Sequence, residues 1–203
     1  MLTPALTVWG APVTLLEGLA CVLSLLMVWA NLRVHVVAWP LAIASSLLYA
    51  LLFVDSRLYG EGGLQIVFVV VSLWGWWQWL RGLDHGAPLV VRKTGPRGRA
   101  LALAATLVAW PLLGWLLARV TDSDVPYFDA LPTAASLTGQ VLLARKRVEN
   151  WPVWLFVNVV SVALFAHKGL WLTALLYALF ALLSVAGWRA WQRRAAAQGS
   201  AGE

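Results

Sequence analysis

Residues 63–79 read GLQIVFVVVSLWGWWQW, and residues 175–191 read LLYALFALLSVAGWRAW. Laid over one another at an offset of 112 positions, without a gap, they superpose Phe68 on Phe180, Ser72 on Ser184, Gly75-Trp76 on Gly187-Trp188 and Trp79 on Trp191. Further out, the same offset carries Arg33 onto Arg145, Trp39-Pro40 onto Trp151-Pro152, Phe53 onto Phe165 and Leu58 onto Leu170. Upstream, Glu17 meets Asp129 and Ser24 meets Ser136. Shared leucines would mean little, but Trp, Pro and Gly are uncommon, and their agreement at one offset marks an internal duplication.

The solvent around this duplicated unit follows from composition. The 203 residues are 61% hydrophobic and only 12% charged, with a mean hydropathy of +0.77. A soluble domain carries about 25% charge and about 45–50% apolar residues, so this chain cannot keep a globular surface wet, and it is too apolar for disorder. A helical span needs roughly 20 apolar residues. Seven such runs stand between charged or Pro/Gly-rich breaks, at about 13–30, 36–54, 62–80, 100–118, 127–144, 151–166 and 170–189. The first is expected as a span and not as a cleaved signal peptide, because it lacks a basic leader, carries Glu17 and is followed by no small-residue cleavage site.

Charge sets the expected orientation. Arg33, the five basic residues of 81–99, Arg145, Lys146, Arg147, Arg189, Arg193 and Arg194 fall on one side, twelve in all; Arg57, Arg119 and Lys168 fall on the other. By the positive-inside rule the richer side is cytoplasmic, which places the N-terminus outside and the C-terminus inside. The net charge of +6 therefore reads as a topology signal, and no nucleic-acid partner is expected. Loop 81–99 and tail 195–203 are expected to meet anionic lipid headgroups. Cys21 is the one cysteine, so no disulfide framework or thiolate metal site is available.

The expected fold class is an all-α membrane protein, a single transmembrane domain over residues 1–203. Repeat one runs over 13–81, a linker helix over 100–118, repeat two over 127–193, and a short cytoplasmic tail over 195–203. Because each repeat holds an odd number of spans, the intervening helix restores the second to the orientation of the first. The result is a 3+1+3 parallel repeat, a plan found in secondary transporters, the SWEET sugar carriers among them.

Polar groups at mid-span are expensive in hydrocarbon and usually face a bundle interior. Ser24, Ser45, Ser46, Ser72, Ser136, Asn158 and Ser184 lie at that depth, with Gln65 and Tyr177 higher and at equivalent places. Gln65, Phe68, Ser72, Trp76 and Trp79 share one helix face; Tyr177, Phe180, Ser184, Trp188 and Trp191 repeat it; Trp154, Asn158, Ser161 and Phe165 form a third row. Rows that mix aromatic planes with amides and hydroxyls suit a flat heterocycle joined to a polar part. The expected substrate-contacting set is Gln65, Phe68, Ser72, Trp76, Trp154, Asn158, Ser161, Tyr177 and Trp188, with Trp39 and Trp151 at the helix starts. Plainer roles stand beside these: Trp9, Trp79, Trp115 and Trp191 as interfacial belt residues, Trp39 and Trp151 as anchors, Gly75 and Gly187 as sites of close helix approach, and serines bonded to carbonyls one turn back.

Several chemistries are missing. No phosphate-binding glycine loop occurs, no carboxylate, histidine or lysine lies at mid-depth to relay protons, and no nucleophile–base pair lies within a span. His35 and His167 are at span ends and His85 in a loop, so no metal is expected, and no cofactor. Carbonyls near Pro40 and Pro152 keep sodium open. The expectation is a passive carrier and not an enzyme.

The run Arg145-Lys146-Arg147-Val148-Glu149-Asn150-Trp151, followed by Asn158-Val159-Val160-Ser161 and Phe165, resembles the PnuC family of bacterial vitamin-precursor transporters. So do Leu58-Tyr59, Leu64-Gln65 and Gly75-Trp76-Trp77-Gln78-Trp79. The resemblance implies a seven-helix 3+1+3 homotrimer in the inner membrane that moves nicotinamide riboside by facilitated diffusion. A cytoplasmic kinase would trap the solute by phosphorylation. It also implies that Gln65, Asn158 and the flanking aromatics contact a small cationic vitamin precursor. The Ser45-Ser46 pair stands where the resemblance implies an asparagine, and thiamine, riboflavin or deoxynucleosides stay open beside nicotinamide riboside. Nicotinamide riboside and thiamine both carry a cationic ring, which tryptophan faces attract by about 2 kcal/mol or more when desolvated. The rivals are a non-transporting membrane assembly subunit and a SWEET-type sugar carrier.

Overall fold

The apolar runs form helices because each closes its backbone hydrogen bonds internally, the condition for lying in hydrocarbon. The computed structural model describes residues 4–8, 11–55, 59–81, 90–121, 126–167 and 171–200. Among them are two short strands, β1 (Pro4–Val8) and β2 (Ala11–Thr14), and seven helices: α1 (Leu15–Leu32), α2 (Ala38–Asp55), α3 (Tyr59–Arg81), α4 (Pro96–Val120), α5 (Pro126–Ala144), α6 (Asn150–His167) and α7 (Trp171–Ser200). Four stretches are long and apolar enough to cross a membrane: Leu15–Leu32, Gly63–Arg81, Pro96–Val120 and Ala174–Gln198. Ala38–Leu52 and Asn150–Leu164 are shorter apolar helices. Trp9, Arg57, Leu58, His85, Lys168, Leu170 and residues 201–203 of the tail lie outside the described residues.

Contacts divide the chain into two compact units, Met1–Leu80 and Arg81–Glu203. In the first, β1 and β2 pair antiparallel, with Val8 opposite Ala11 and an irregularity between Pro4 and Leu6. This hairpin was not expected. Pro12 has no N–H for a helix to use and Val13 and Thr14 are β-branched, so the chain stays extended until the Thr14 hydroxyl accepts the Glu17 amide at 3.1 Å and starts α1. At its other end α1 closes with the Val34 amide on the Asn31 carbonyl and the His35 amide on the Ala30 carbonyl. Val34 takes φ 56° there, the left-handed position that usually belongs to glycine.

The second unit builds the same turn. The Lys146 amide reaches the Leu143 carbonyl, the Arg147 amide reaches Leu142, and Lys146 takes φ 49°. Val34 and Lys146 are 112 positions apart. The next bonds also correspond: Ala38 to His35 and Trp39 to Val36 in one unit, Asn150 to Arg147 and Trp151 to Val148 in the other. Both turns deliver a Trp-Pro pair to the first turn of the following helix.

Each of those tryptophans packs on a glycine. The Trp39 ring lies where a Cβ on Gly75 would be, and Trp151 does the same at Gly187, with three ring atoms 2.5 Å from the Cβ position. Trp79 meets Trp39 edge-on at 5.5 Å and 84°, and Trp191 meets Trp151 at 5.7 Å and 82°. Trp79 and Trp191 are therefore interior residues, a correction to the belt role expected for them. Trp115 is exposed with the Arg119 guanidinium 4.9 Å above its ring, and Trp29 is exposed beneath Arg33 at the same distance.

Helix α4 begins at Pro96 behind Gly95, four residues before the expected start, because proline suits the first helical position. It packs on α5, where the Thr106 and Thr138 hydroxyls lie 2.7 Å apart and the Trp110 indole donates to the Tyr127 carbonyl at 2.6 Å. Helix α5 packs on α6, and α6 on α7. Helix α7 continues to Ser200 through residues expected only as tail.

The segment before α4 is tied to the α5–α6 turn. Arg92 exchanges backbone hydrogen bonds with Lys146 and Val148, each 3.1 Å. Glu149 accepts the Thr94 amide at 2.8 Å and pairs with Arg99 at 3.0 Å. Burial opposes the Glu149 charge, but hydrogen bonds from Thr94 and its own backbone amide, with Arg99 nearby, outweigh that and hold its carboxyl below the usual carboxylate range.

Gly75→Ala and Gly187→Ala are each expected to cost about 1–3 kcal/mol by overpacking, read as a lower thermal midpoint in detergent. Gly18→Ala, whose Cβ meets nothing within 4 Å, should leave the midpoint unchanged; equal midpoints for all three would refute the packing role. The depressed Glu149 carboxyl contributes stability above its unfolded-state pKa of about 4.3, and that contribution is lost as pH falls through the folded value. Glu149→Gln should be the less stable protein at pH 7, with the gap closing below about pH 4.

Candidate functional site

The expected contact residues divide between the units. Helix α3 carries Gln65, Phe68 and Trp76, all half-buried, and Ser72, which is buried. Helix α2 contributes Trp39, sunk in the contact with Gly75 and Trp79. In the second unit, α6 carries Trp151, Trp154, Asn158 and Ser161, and α7 carries Tyr177 and Trp188. Trp151 is the interior partner of Gly187 and Trp191, whereas Trp154, Tyr177 and Trp188 are half-buried. Phe165 lies within α6, and its side chain is outside the described set.

The second unit joins α6 to α7 through a polar pair. Asn158 donates an amide N–H to the Ser184 hydroxyl oxygen at 3.1 Å, and Ser184 gives its own proton to the Phe180 carbonyl at 2.8 Å. The order of this chain fixes the amide. A serine hydroxyl has one proton, Ser184 spends it on the backbone, and so it must accept from Asn158. The nitrogen of Asn158 is thereby held toward α7. Its carbonyl oxygen and second N–H make no further hydrogen bond among the described residues. A buried carboxamide oriented in this way can present one acceptor and one donor side by side, the complement of another amide or of a heterocycle edge.

Aromatic residues stand one turn from the pair along the helices, Trp154 before Asn158, and Phe180 and Trp188 on either side of Ser184. Tyr177 meets Phe180 edge-on at 6.0 Å and 85°, placing a ring at the residue whose carbonyl holds Ser184. Trp154 lies against Gly139 of α5, its Cε2 3.3 Å from where a Cβ would be, so α5 leaves room for the indole. Ser24 and Ser45 bond back to the Ala20 and Ala42 carbonyls at 2.9 and 3.1 Å, the plain role for a serine in a span. Among the described residues no three metal-ligating side chains come together.

Sequence reasoning gave no role to four buried amides: Asn31, Gln78, Gln140 and Asn150. Gln140 is the most instructive, because it sits one turn from buried Ser136 on α5. That i, i+4 polar pair was the available signal, though it stands among the other polar residues of α5, Asp129, Thr133 and Thr138. The indole nitrogens of Trp39 and Trp151 are buried without a hydrogen-bond partner among the described residues, a feature that packing alone had to reveal.

Comparison with known proteins places these observations among relatives. The family model described as nicotinamide mononucleotide transporter matches residues 14–193. The nicotinamide riboside transporter PnuC of Escherichia coli is 25% identical, over 75% of this chain and 74% of that protein. The riboflavin/roseoflavin transporter RibM of Streptomyces davaonensis is 30% identical, over 85% of this chain and 82% of that one. A crystal structure of the vitamin B3 transporter PnuC superposes with a TM-score of 0.72 at 25% identity, covering 89% of this chain and 81% of that chain.

Ser184→Ala removes the acceptor and strands a buried amide N–H, which costs about 1–3 kcal/mol. Ser24→Ala deletes only a hydroxyl bonded to its own helix and should cost less. Thermal midpoints of the two variants decide it: a loss no greater for Ser184→Ala than for Ser24→Ala would show that the pair does not join α6 to α7.

Proposed function

Because the chain belongs to the nicotinamide mononucleotide transporter family, that of the PnuC carriers, we propose that it moves nicotinamide riboside across a bacterial inner membrane as a uniporter, by facilitated diffusion. It is a multi-pass membrane protein, and its relatives are transporters and not enzymes. The carrying observation is the Asn158 carboxamide, buried and oriented by Ser184 between rows of aromatic side chains. An amide held in this way recognises a polar ring edge, while Trp154, Ser161, Tyr177 and Trp188 of the same unit supply planes and a hydroxyl; Gln65, Phe68, Ser72 and Trp76 form the corresponding row on α3 of the first unit. Tryptophan faces favour the cationic nicotinamide ring, and the rows hold no ionised group to couple a proton. Trp39 and Trp151 act on substrate through the helix crossings they fix.

The same reading takes the architecture as a parallel 3+1+3 repeat with the N-terminus outside and the C-terminus cytoplasmic. The matching turns at Val34 and Lys146 and the bias of basic residues support it. A passive carrier needs a sink, so a cytoplasmic kinase that phosphorylates the solute completes uptake, and the family likeness supports a homotrimer. The 30% identity to RibM favours one second reading, the same mechanism acting on riboflavin.

Proteoliposomes of the purified chain test both. Labelled nicotinamide riboside should equilibrate across the vesicle membrane without rising above the external level, unaffected by protonophore or sodium removal. Asn158→Leu, in protein with a preserved oligomer profile, should slow entry at least tenfold, about 1.4 kcal/mol. Accumulation above the external level would refute uniport, and entry of riboflavin alone would select the second reading.

A further inference from the structure

Two basic segments far apart in sequence form one surface in the second unit. The bonds between Arg92 and residues Lys146 and Val148 bring Arg92, Lys93, Arg97 and Arg99 beside Arg145, Lys146 and Arg147. The Arg147 guanidinium reaches the Lys93 carbonyl at 3.5 Å, adding a second tie. Among the described residues one carboxylate, Glu149, stands with these seven cations, and Arg99 together with the Thr94 amide already occupies both its oxygens. Arg92, Lys93, Arg97 and Arg145 remain exposed. The surface is thus a fixed cationic shelf, held by the backbone bonds of Arg92 and by the side chains of Arg147 and Arg99, and not by those of Arg92, Lys93, Arg97 or Arg145.

Its place in the fold defines the ligand. The shelf lies where α4 begins, α5 ends and α6 begins, and α4 is long and apolar enough to cross a membrane. Exposed aliphatic side chains stand one turn from three exposed cations: Leu101 from Arg97 and Leu103 from Arg99 on α4, and Val141, whose carbonyl accepts the Arg145 amide where α5 ends. A soluble anion would use the cations and leave those aliphatics bare. A molecule with a phosphate head and hydrocarbon tails meets both.

We propose that the shelf formed by residues 92–99 and 145–147 is a binding site for anionic phospholipid, with the phosphate between the two basic segments and the acyl chains along α4 and α5. The site stands apart from solute recognition and does not depend on which vitamin is carried.

Native mass spectrometry of the full chain, released from detergent with phosphatidylglycerol or phosphatidylcholine, tests it. The native protein should retain phosphatidylglycerol adducts several-fold over phosphatidylcholine. Arg97→Ala and Arg145→Ala should each lower that retention about fivefold, the equivalent of one cation near a headgroup layer, and the double variant should approach the phosphatidylcholine level. Both side chains are exposed and the ties that build the shelf are backbone bonds or involve other residues, so size-exclusion profile and thermal midpoint should match the native protein. Equal retention of the two lipids overturns the proposal, as does an excess that the variants leave intact. Displacement of the lipid by millimolar glycerol phosphate would assign the shelf to soluble anions and equally overturn it.

Discussion

A tryptophan ring resting on bare helix backbone is the contact on which the rest of the structure depends. In lipid, helices gain no hydrophobic advantage by meeting, so their association rests on close van der Waals approach, and small residues permit it. Gly75 and Gly187 each leave a hollow that one indole fills, with a second indole set edge-on behind it. That arrangement fixes more than distance. A glycine must face its tryptophan, so the rotation of α3 and α7 about their axes is set, and with it the direction of every residue at helical spacing from the glycine. Ser184 lies one turn before Gly187 and Asn158 two turns after Trp151, and the two polar groups meet. The polar pair then locks the register that the ring contact began.

The correspondence of turns and ring contacts at an offset of 112 was legible because it is written in Trp, Pro and Gly, residues whose backbone and packing demands cannot be met by ordinary substitutes. What those residues do was harder to read. Trp79 and Trp191 look like belt residues when only depth is considered; the glycine four positions earlier and the distant Trp-Pro pair are what bring them inside. The left-handed turns were hidden for a different reason. Val34 and Lys146 hold a conformation that glycine usually supplies, so nothing in their side chains announces it, and only the repeated hydrogen bonds do. The start of α4 was misplaced because the charges of Arg97 and Arg99 suggested a loop, while Gly95-Pro96 carried the actual helix-start signal. Gln140 went unremarked because α5 is rich in small polar residues and burial, not composition, separates one from another.

The tie between the segment before α4 and the α5–α6 turn shows how a membrane protein handles a dense positive charge. Seven cations at one place repel one another, and scattering them on mobile loops would be the simplest remedy. Here they are held by backbone bonds from Arg92 and by a single partly buried carboxylate. The local hydrogen bonds overcome the desolvation of Glu149 and keep it ionised, so the fold relies on it at neutral pH. The elements that carry this tie belong to the second unit alone, which is one physical difference between the two units.

A second difference bears on the proposed recognition. Every ring-on-glycine element recurs in both units, yet the polar pair does not: the positions equivalent to Asn158 and Ser184 are Ser46 and Ser72, and Gln65 corresponds to Tyr177. Scaffold and polar equipment therefore follow separate rules in the two units. Packing tolerates little change, because a Cβ on either glycine would drive an indole out of its seat. Hydrogen-bonding groups are free to diverge so long as each buried one finds a partner. A solute with a ring at one end and a polar part at the other has no symmetry of its own, and a symmetric set of contacts would satisfy at most half of it. Divergence at these hydrogen-bonding positions, on a frame that could not diverge, leaves the second unit with a carboxamide at Asn158 where the first has the Ser46 hydroxyl.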